Sequence, residues 1–127
     1  MGLTCIEYVR RRAETLSHRL HYARVQEGDF LAKEPEPSFD RVLMNPPFSR
    51  GLDVLHVHHA LEFLAPGGRL VAIMAGNALH RDNERTRELR RFLDGHFTWQ
   101  TEKLPSGSFK AEGTMVSTIM LTATLHR

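Results

Sequence analysis

The stretch Phe39-Asp-Arg-Val-Leu-Met44, followed at once by Asn45-Pro46-Pro47-Phe48, restricts the fold of this chain more than any other. Residues 39–44 read as a β-strand, apolar almost throughout. Such a strand is expected where a sheet is covered on both faces, as in parallel sheets flanked by helices. Two successive prolines then end it, because each lacks the N–H that a ladder needs and each fixes φ.

Elements of alternating type surround this strand. Residues 3–8 are β-prone, and Val9, Ala13, Leu16 and Leu20 recur at the spacing of one helical face, which predicts a helix over 9–21. Residues 22–25 form a second short strand closed by Glu27-Gly28-Asp29, and Pro35 and Pro37 mark a loop over 33–38. Leu52, Leu55, Ala60, Leu61 and Leu64 predict a helix over 52–64, stopped by Pro66-Gly67-Gly68. A strongly apolar strand over 69–75 comes next, then a helix over 82–93 with Asp82 or Asn83 as its cap and Gly95 just past its end. Residues 99–104 and 114–125 are again β-prone and suggest antiparallel strands that close the sheet. The pattern predicts one domain over residues 1–127, an open α/β sheet with an antiparallel edge.

Composition narrows the setting. With 41% hydrophobic and 25% charged residues the chain has the makings of a core, which excludes a disordered tail. Seventeen Lys and Arg against fifteen Asp and Glu permit contact with nucleic acid without demanding it. The lone Cys5 excludes a disulfide within the chain and makes a reducing, cytoplasmic setting the expectation. No apolar run approaches the length of a membrane span and the first residues lack the order of a signal peptide, so no membrane partner is expected.

The strand end carries the chemistry. The exocyclic amine of adenine or cytosine is a poor nucleophile, because its lone pair is delocalised into the ring. Two acceptors that grip the amine hydrogens draw that lone pair out of conjugation. The Asn45 side-chain oxygen and the Pro46 carbonyl supply such acceptors at adjacent positions, and Pro46 and Pro47 keep them preorganised. Phe48 offers a flat apolar face for stacking.

On these residues the chain resembles the class I S-adenosylmethionine-dependent methyltransferases of the amino-methylating type, in which Asn/Asp-Pro-Pro-aromatic ends the fourth sheet strand. It is most similar to phage- and plasmid-borne adenine-N6 DNA methyltransferase-like proteins. That likeness rests on Asn45-Pro-Pro-Phe48, His56-Val-His-His-Ala60, Leu64-Ala-Pro-Gly-Gly-Arg-Leu-Val-Ala-Ile73, and Leu104-Pro-Ser-Gly-Ser-Phe109-Lys with Gly113-Thr114. The resemblance implies a three-layer, Rossmann-like methyltransferase sheet. It makes Asn45, Pro46, Pro47 and Phe48 the catalytic residues and Glu7, Asp29 and Phe30 the residues that bind S-adenosylmethionine. Glu7 matches the acid that accepts from the donor's ribose hydroxyls. Asp29 matches the residue that contacts the donor's adenine, with Phe30 packing on that ring.

The family places a first strand and a glycine-rich donor loop ahead of the Glu7 strand, where only Met1 and Gly2 stand here. The expectation is therefore a sheet that lacks its first strand and is truncated at its N-terminus. The missing strand belongs between the Glu7 and Asn45 strands, so open edges are expected to pair with each other, with a protein partner or in a homodimer.

Two functions are compatible with this reading. One is a methyltransferase-like protein that does not act as an enzyme on its own but binds a protein or DNA, as a phage or plasmid counter-defence protein of the anti-CRISPR or anti-restriction kind would. The alternative is an adenine-N6 DNA methyltransferase whose donor loop comes from a longer parent chain or a partner subunit. Ribosomal RNA and a protein glutamine are further substrates within the same chemistry.

Plainer readings stand beside these. Asp29 in Gly-Asp is a common turn residue. His56, His58 and His59 lack acidic or cysteine partners at ligand spacing, so helix packing is expected of them and no metal site. Arg81, Arg85, Arg87, Arg90 and Arg91, and likewise Arg10, Arg11 and Arg12, form ridges that suit phosphate. Glu84, Glu88 and Glu14 between and beside them equally suit solvated helix faces with internal ion pairs. Phe109 is either a residue near the target base or a loop aromatic docked on the domain.

Overall fold

A computed structural model describes residues 2–7, 10–19, 24–105, 110–111, 114–115 and 117–127. The expectations for Phe109 and for the side chains of Glu7, Arg10 and Arg11 fall outside what is described. The chain divides into two compact units, Met1–Glu34 and Pro35–Arg127, with the boundary inside the loop marked by Pro35 and Pro37.

In the first unit, strand β1 (Thr4–Glu7) pairs in parallel with β2 (Arg24–Glu27), and α1 (Arg10–Arg19) supplies the crossover that a parallel pair requires. Of the strand expected over residues 22–25, residues 22 and 23 lie outside the described residues, and β2 runs on to Glu27. In its register Glu7 lies beside Glu27, so both strands end together.

The second unit holds β3 (Phe39–Met44), α2 (Leu52–Leu61), β4 (Leu64–Ala75), α3 (Glu84–His96) and β5 (Phe97–Lys103). The short pair β6 (Lys110–Ala111) and β7 (Thr114–Met115) precedes the last strand, β8 (Thr118–Leu125). Its main sheet runs β3-β4-β8-β5, with β3 parallel to β4 and β8 antiparallel to both of its neighbours. Leu70, Ala72 and Met74 of β4 alternate along one face and register with Ala123, Leu121 and Ile119 of β8. Together with Val54, Val57 and Leu61 of α2 and Leu89 and Leu93 of α3 they form the buried core. Truncation of Leu70 or Leu121 to Ala costs about 2–5 kcal/mol by lost transfer energy and cavity formation.

Three expectations change here. β3 has the expected bounds but is an outer strand paired only with β4 in this sheet, and its Leu43 is 79% exposed; it is not covered on both faces. Pro66-Gly67-Gly68 does not stop α2, which ends at Leu61 in a turn over Glu62 and Phe63, and lies inside β4 instead. There the register slips: β3 advances from Phe39 to Arg41 while β4 advances from Leu64 to Arg69. Gly68 serves that bulge, since a Cβ on it would stand 2.8 Å from the Ala65 carbonyl oxygen and 2.9 Å from that of Phe39. Finally, Gly95 lies within α3, which runs on to His96 and passes directly into β5.

Candidate active site

The backbone beyond β3 places the sequence-predicted residues in unlike environments. Asn45 is exposed, Pro46 buried, Pro47 exposed and Phe48 half-buried. Among the described residues the Asn45 carboxamide makes no hydrogen bond, so its oxygen is available to an incoming donor. Pro46 is held by burial as well as by its ring, which fixes its φ.

After Phe48 the chain makes a single 3-10 turn, Ser49–Gly51, in which Arg50 (φ 56°, ψ 27°) and Gly51 (φ 72°, ψ 18°) are both left-handed. Glycine takes this conformation freely, whereas an arginine there is strained by about 1–2 kcal/mol. Arg85 offsets part of that cost, since its Nη1 donates to the Arg50 carbonyl at 3.3 Å. The double left-handed step reverses the chain between the strand end and α2.

Asp53, in the first turn of α2, was not singled out by sequence reasoning, yet it anchors this loop. Its side chain is fully buried. Oδ1 accepts from the Val54 N–H at 3.0 Å and from Arg81 Nη1 at 3.1 Å, and Oδ2 accepts from the Ala75 N–H at 3.0 Å. One carboxylate thus ties the start of α2, the end of β4 and the segment before α3 together. The available signal was its place near a helix N-terminus, where the macrodipole favours an anion; nothing in the sequence distinguished it from a solvated acid.

In the first unit, Asp29 caps a short turn over Phe30–Ala32, with one carboxylate oxygen accepting from the Leu31 N–H at 3.0 Å. That is the turn role open to it from sequence. Both Asp29 and Phe30 take positions just beyond the end of β2, and Phe30 lies in the first residue of the turn. Glu7 ends β1 beside Glu27, two residues before Asp29, so Glu7 and Asp29 share the carboxyl end of the parallel pair. Asn45 to Phe48 belong to the second unit.

The histidines take packing positions. His58 lies 5.2 Å from the Phe92 ring, His59 lies 5.2 Å from that of Phe63, and His56 Nδ1 stands 2.8 Å from the Leu52 carbonyl oxygen. On α3 the Arg91 guanidinium first, and Arg87 next, hold the Glu84 carboxyl below its ordinary value.

A parallel strand pair joined by a helix and a mixed sheet with an antiparallel last strand are those of a Rossmann-like α/β protein. Residues 3–100 match the family model of the methyltransferase small domain, and the chain belongs to that family. It is 29% identical to the methylase subunit of the type I restriction enzyme StySPI of Salmonella potsdam over 80% of this chain, and it spans 22% of that subunit's length. Among solved structures it is similar to the M protein of the type I restriction enzyme EcoKI, with TM-score 0.74 and 23% identity over 97% of this chain and 31% of that one. It is also similar to a Listeria monocytogenes protein assigned to the class I S-adenosylmethionine-dependent methyltransferases, with TM-score 0.78 and 13% identity over 99% of this chain and 45% of the other.

Proposed function

We propose that this chain is the amine-binding portion of an adenine-N6 DNA methyltransferase whose glycine-rich donor loop comes from a longer parent chain or a partner subunit. The observation that carries this reading is the exposed Asn45 carboxamide, unbonded among the described residues, next to the rigid Pro46-Pro47 pair and the half-buried Phe48, in a chain of the methyltransferase small-domain family. Membership in a DNA-modifying branch is supported by the likeness to the restriction methylase subunit.

Asn45 Oδ1 and the Pro46 carbonyl accept the two hydrogens of the adenine amine and localise its lone pair for attack. Phe48 stacks the base once it leaves the duplex. S-adenosylmethionine supplies the methyl group when bound. Asp29 and Phe30, at the same end of the parallel pair as Glu7, fit the adenosine half of that donor. The open edge of β3 is where a neighbouring strand from the parent chain, a partner or a second copy pairs.

Calorimetric titration with S-adenosylmethionine, with Glu7→Ala as control, and then tritium transfer to adenine-containing duplex DNA, each carried out on the chain together with the parent chain or partner subunit that supplies the donor loop, test the reading. Donor binding lost in the control and transfer abolished by Asn45→Ala are the expected results. Equal transfer by wild type and Asn45→Ala removes Asn45 from the chemistry. Absence of donor binding assigns the chain a role in binding a partner and not in catalysis on its own.

A further inference from the structure

The arginines around α3 read as one ridge in sequence, but the structure sorts them by partner. Arg87 pairs with Asp82 at 2.6 Å and with Glu84 at 3.3 Å, and Arg91 pairs with Glu84 at 3.0 Å, so this exposed face neutralises itself. Arg90 donates to the Leu79 carbonyl at 3.0 Å and lies 5.5 Å from the centre of the Trp99 ring, a packing role. Arg81 and Arg85 turn toward the loop after Phe48 instead.

With Arg50 they line a cleft of about 240 Å³ whose walls also include Gly51, Asn83 and Thr86. A Cβ built on Gly51 would stand 3.9 Å from Nη1 of both Arg81 and Arg85, so two guanidinium groups converge on the left-handed turn. Arg81 shares the buried Asp53 carboxylate. Among the described residues, neither Arg50 nor Arg85 forms an ion pair with a carboxylate.

Two further features of the lining stand beside this surplus of positive charge. Asn83 caps α3, its side chain accepting from the Thr86 N–H at 2.9 Å, so the positive end of that helix dipole adjoins the cleft. Thr86, a lining residue that is 2% exposed, carries a buried hydroxyl with no hydrogen-bond partner among the described residues. An anion relieves the repulsion between the cations and suits planar guanidinium donors, which bind phosphate oxygens in pairs. Arg50 is only two residues beyond Phe48 and keeps its side chain there despite a strained backbone, which is where function commonly retains strain.

We propose that this cleft holds a backbone phosphodiester of the DNA strand whose adenine lies against Asn45 and Phe48. The inference rests on the amine-binding reading and adds the contact that positions the strand. Such a contact fixes register and carries no sequence information.

The test is fluorescence anisotropy of the full chain with two single-stranded DNA oligonucleotides, one containing a single adenine and one without adenine, over a series of salt concentrations. Arg50→Gly and Arg85→Gln each weaken binding to both oligonucleotides by about tenfold, the cost of one charge-assisted contact. Each also lowers the slope of log affinity against log salt by about 0.7. Arg91→Gln, whose parent residue is paired with Glu84, changes neither. Arg50→Gly suits the left-handed backbone and Arg85 is an exposed residue, so thermal unfolding verifies that both variants remain folded.

Three outcomes overturn the proposal: unchanged affinity and slope in the Arg50→Gly/Arg85→Gln pair, no binding by the wild type at low salt, or inorganic phosphate shifting the Asn83 and Thr86 amide resonances while neither oligonucleotide does. The last result makes the cleft a small-anion site only. The two readings fail separately. Asn45→Ala is expected to remove the preference for the adenine oligonucleotide and keep the salt slope. If it leaves the preference intact while the arginine variants lower affinity, the base site falls and the phosphate site stands.

Discussion

The two outer strands of the four-stranded sheet, β3 and β5, differ in the side chains they present and in the segments they lead into. β5 exposes Thr98, Gln100, Thr101, Glu102 and Lys103, a polar and charged row of the kind that protects an edge from adventitious pairing. β3 exposes Asp40, Arg41 and, unlike β5, a large apolar side chain, Leu43, and then leads into Asn45-Pro-Pro-Phe48, the left-handed turn and the buried Asp53. Both edges carry charged side chains that discourage adventitious pairing, and Leu43 is the apolar exception. The difference is that the β3 side is tied to the rest of its unit through a buried carboxylate.

Changes at Asp53 break this comparison most strongly. Asp53→Ala leaves Arg81 and the Ala75 N–H without their partner, and a loss of about 3–5 kcal/mol is expected. Asp94→Ala on the other side removes only the exposed bond from Trp99 Nε1 at 2.9 Å, with an expected loss of about 0.5–1.5 kcal/mol. Denaturant unfolding of both variants compares them, and equal losses would mean that the β3 side is no more tightly tied than the β5 side.

Smaller effects of opposite sign are expected in the turn. Gly51→Ala costs about 1–2 kcal/mol by placing a Cβ at positive φ, and Arg50→Gly gains about 0.5–1 kcal/mol by relieving the same strain. A stability gain accompanied by weaker DNA binding is the signature of a residue kept for function. If Arg50→Gly destabilises the chain, the strain argument is wrong.

Leu43→Lys is expected to change stability by no more than about 0.5 kcal/mol, like Thr101→Lys on β5, because both side chains are exposed. A larger loss at Leu43 alone, together with a wild-type melting temperature that rises with protein concentration, would show that a second copy covers the β3 edge in solution.

The smallest effect concerns the self-neutralised face of α3. Glu84 is expected to titrate in NMR below an ordinary glutamate, and Arg91→Ala to move it back up. Because its folded-state value is lowered, its contribution to stability is present above the ordinary glutamate range and is lost as pH falls through the lowered value.

Much of this was legible from residues alone. The bounds of β3 are those its β-prone run and the two prolines imply, and the cap at Asn83 is what a short polar side chain ahead of a helical pattern implies. The misreadings share a cause. Pro66-Gly67-Gly68 looked like a stop for α2, but its backbone is used as a bulge against Phe39, a contact that local spacing does not encode. Gly95 looked like a cap, yet the helix continues because Phe97, 4% exposed, is drawn into the core at the start of β5.

By itself the sequence determined the kinds of element and their order, because these depend on backbone constraints and on residues adjacent in the chain. Tertiary structure alone decided that β8 inserts between β4 and β5, that Asp53 is buried against Arg81 and Ala75, and which arginines are paired. Those outcomes depend on groups far apart in sequence meeting in space, where burial and neighbouring charge, not residue type, set what a side chain does.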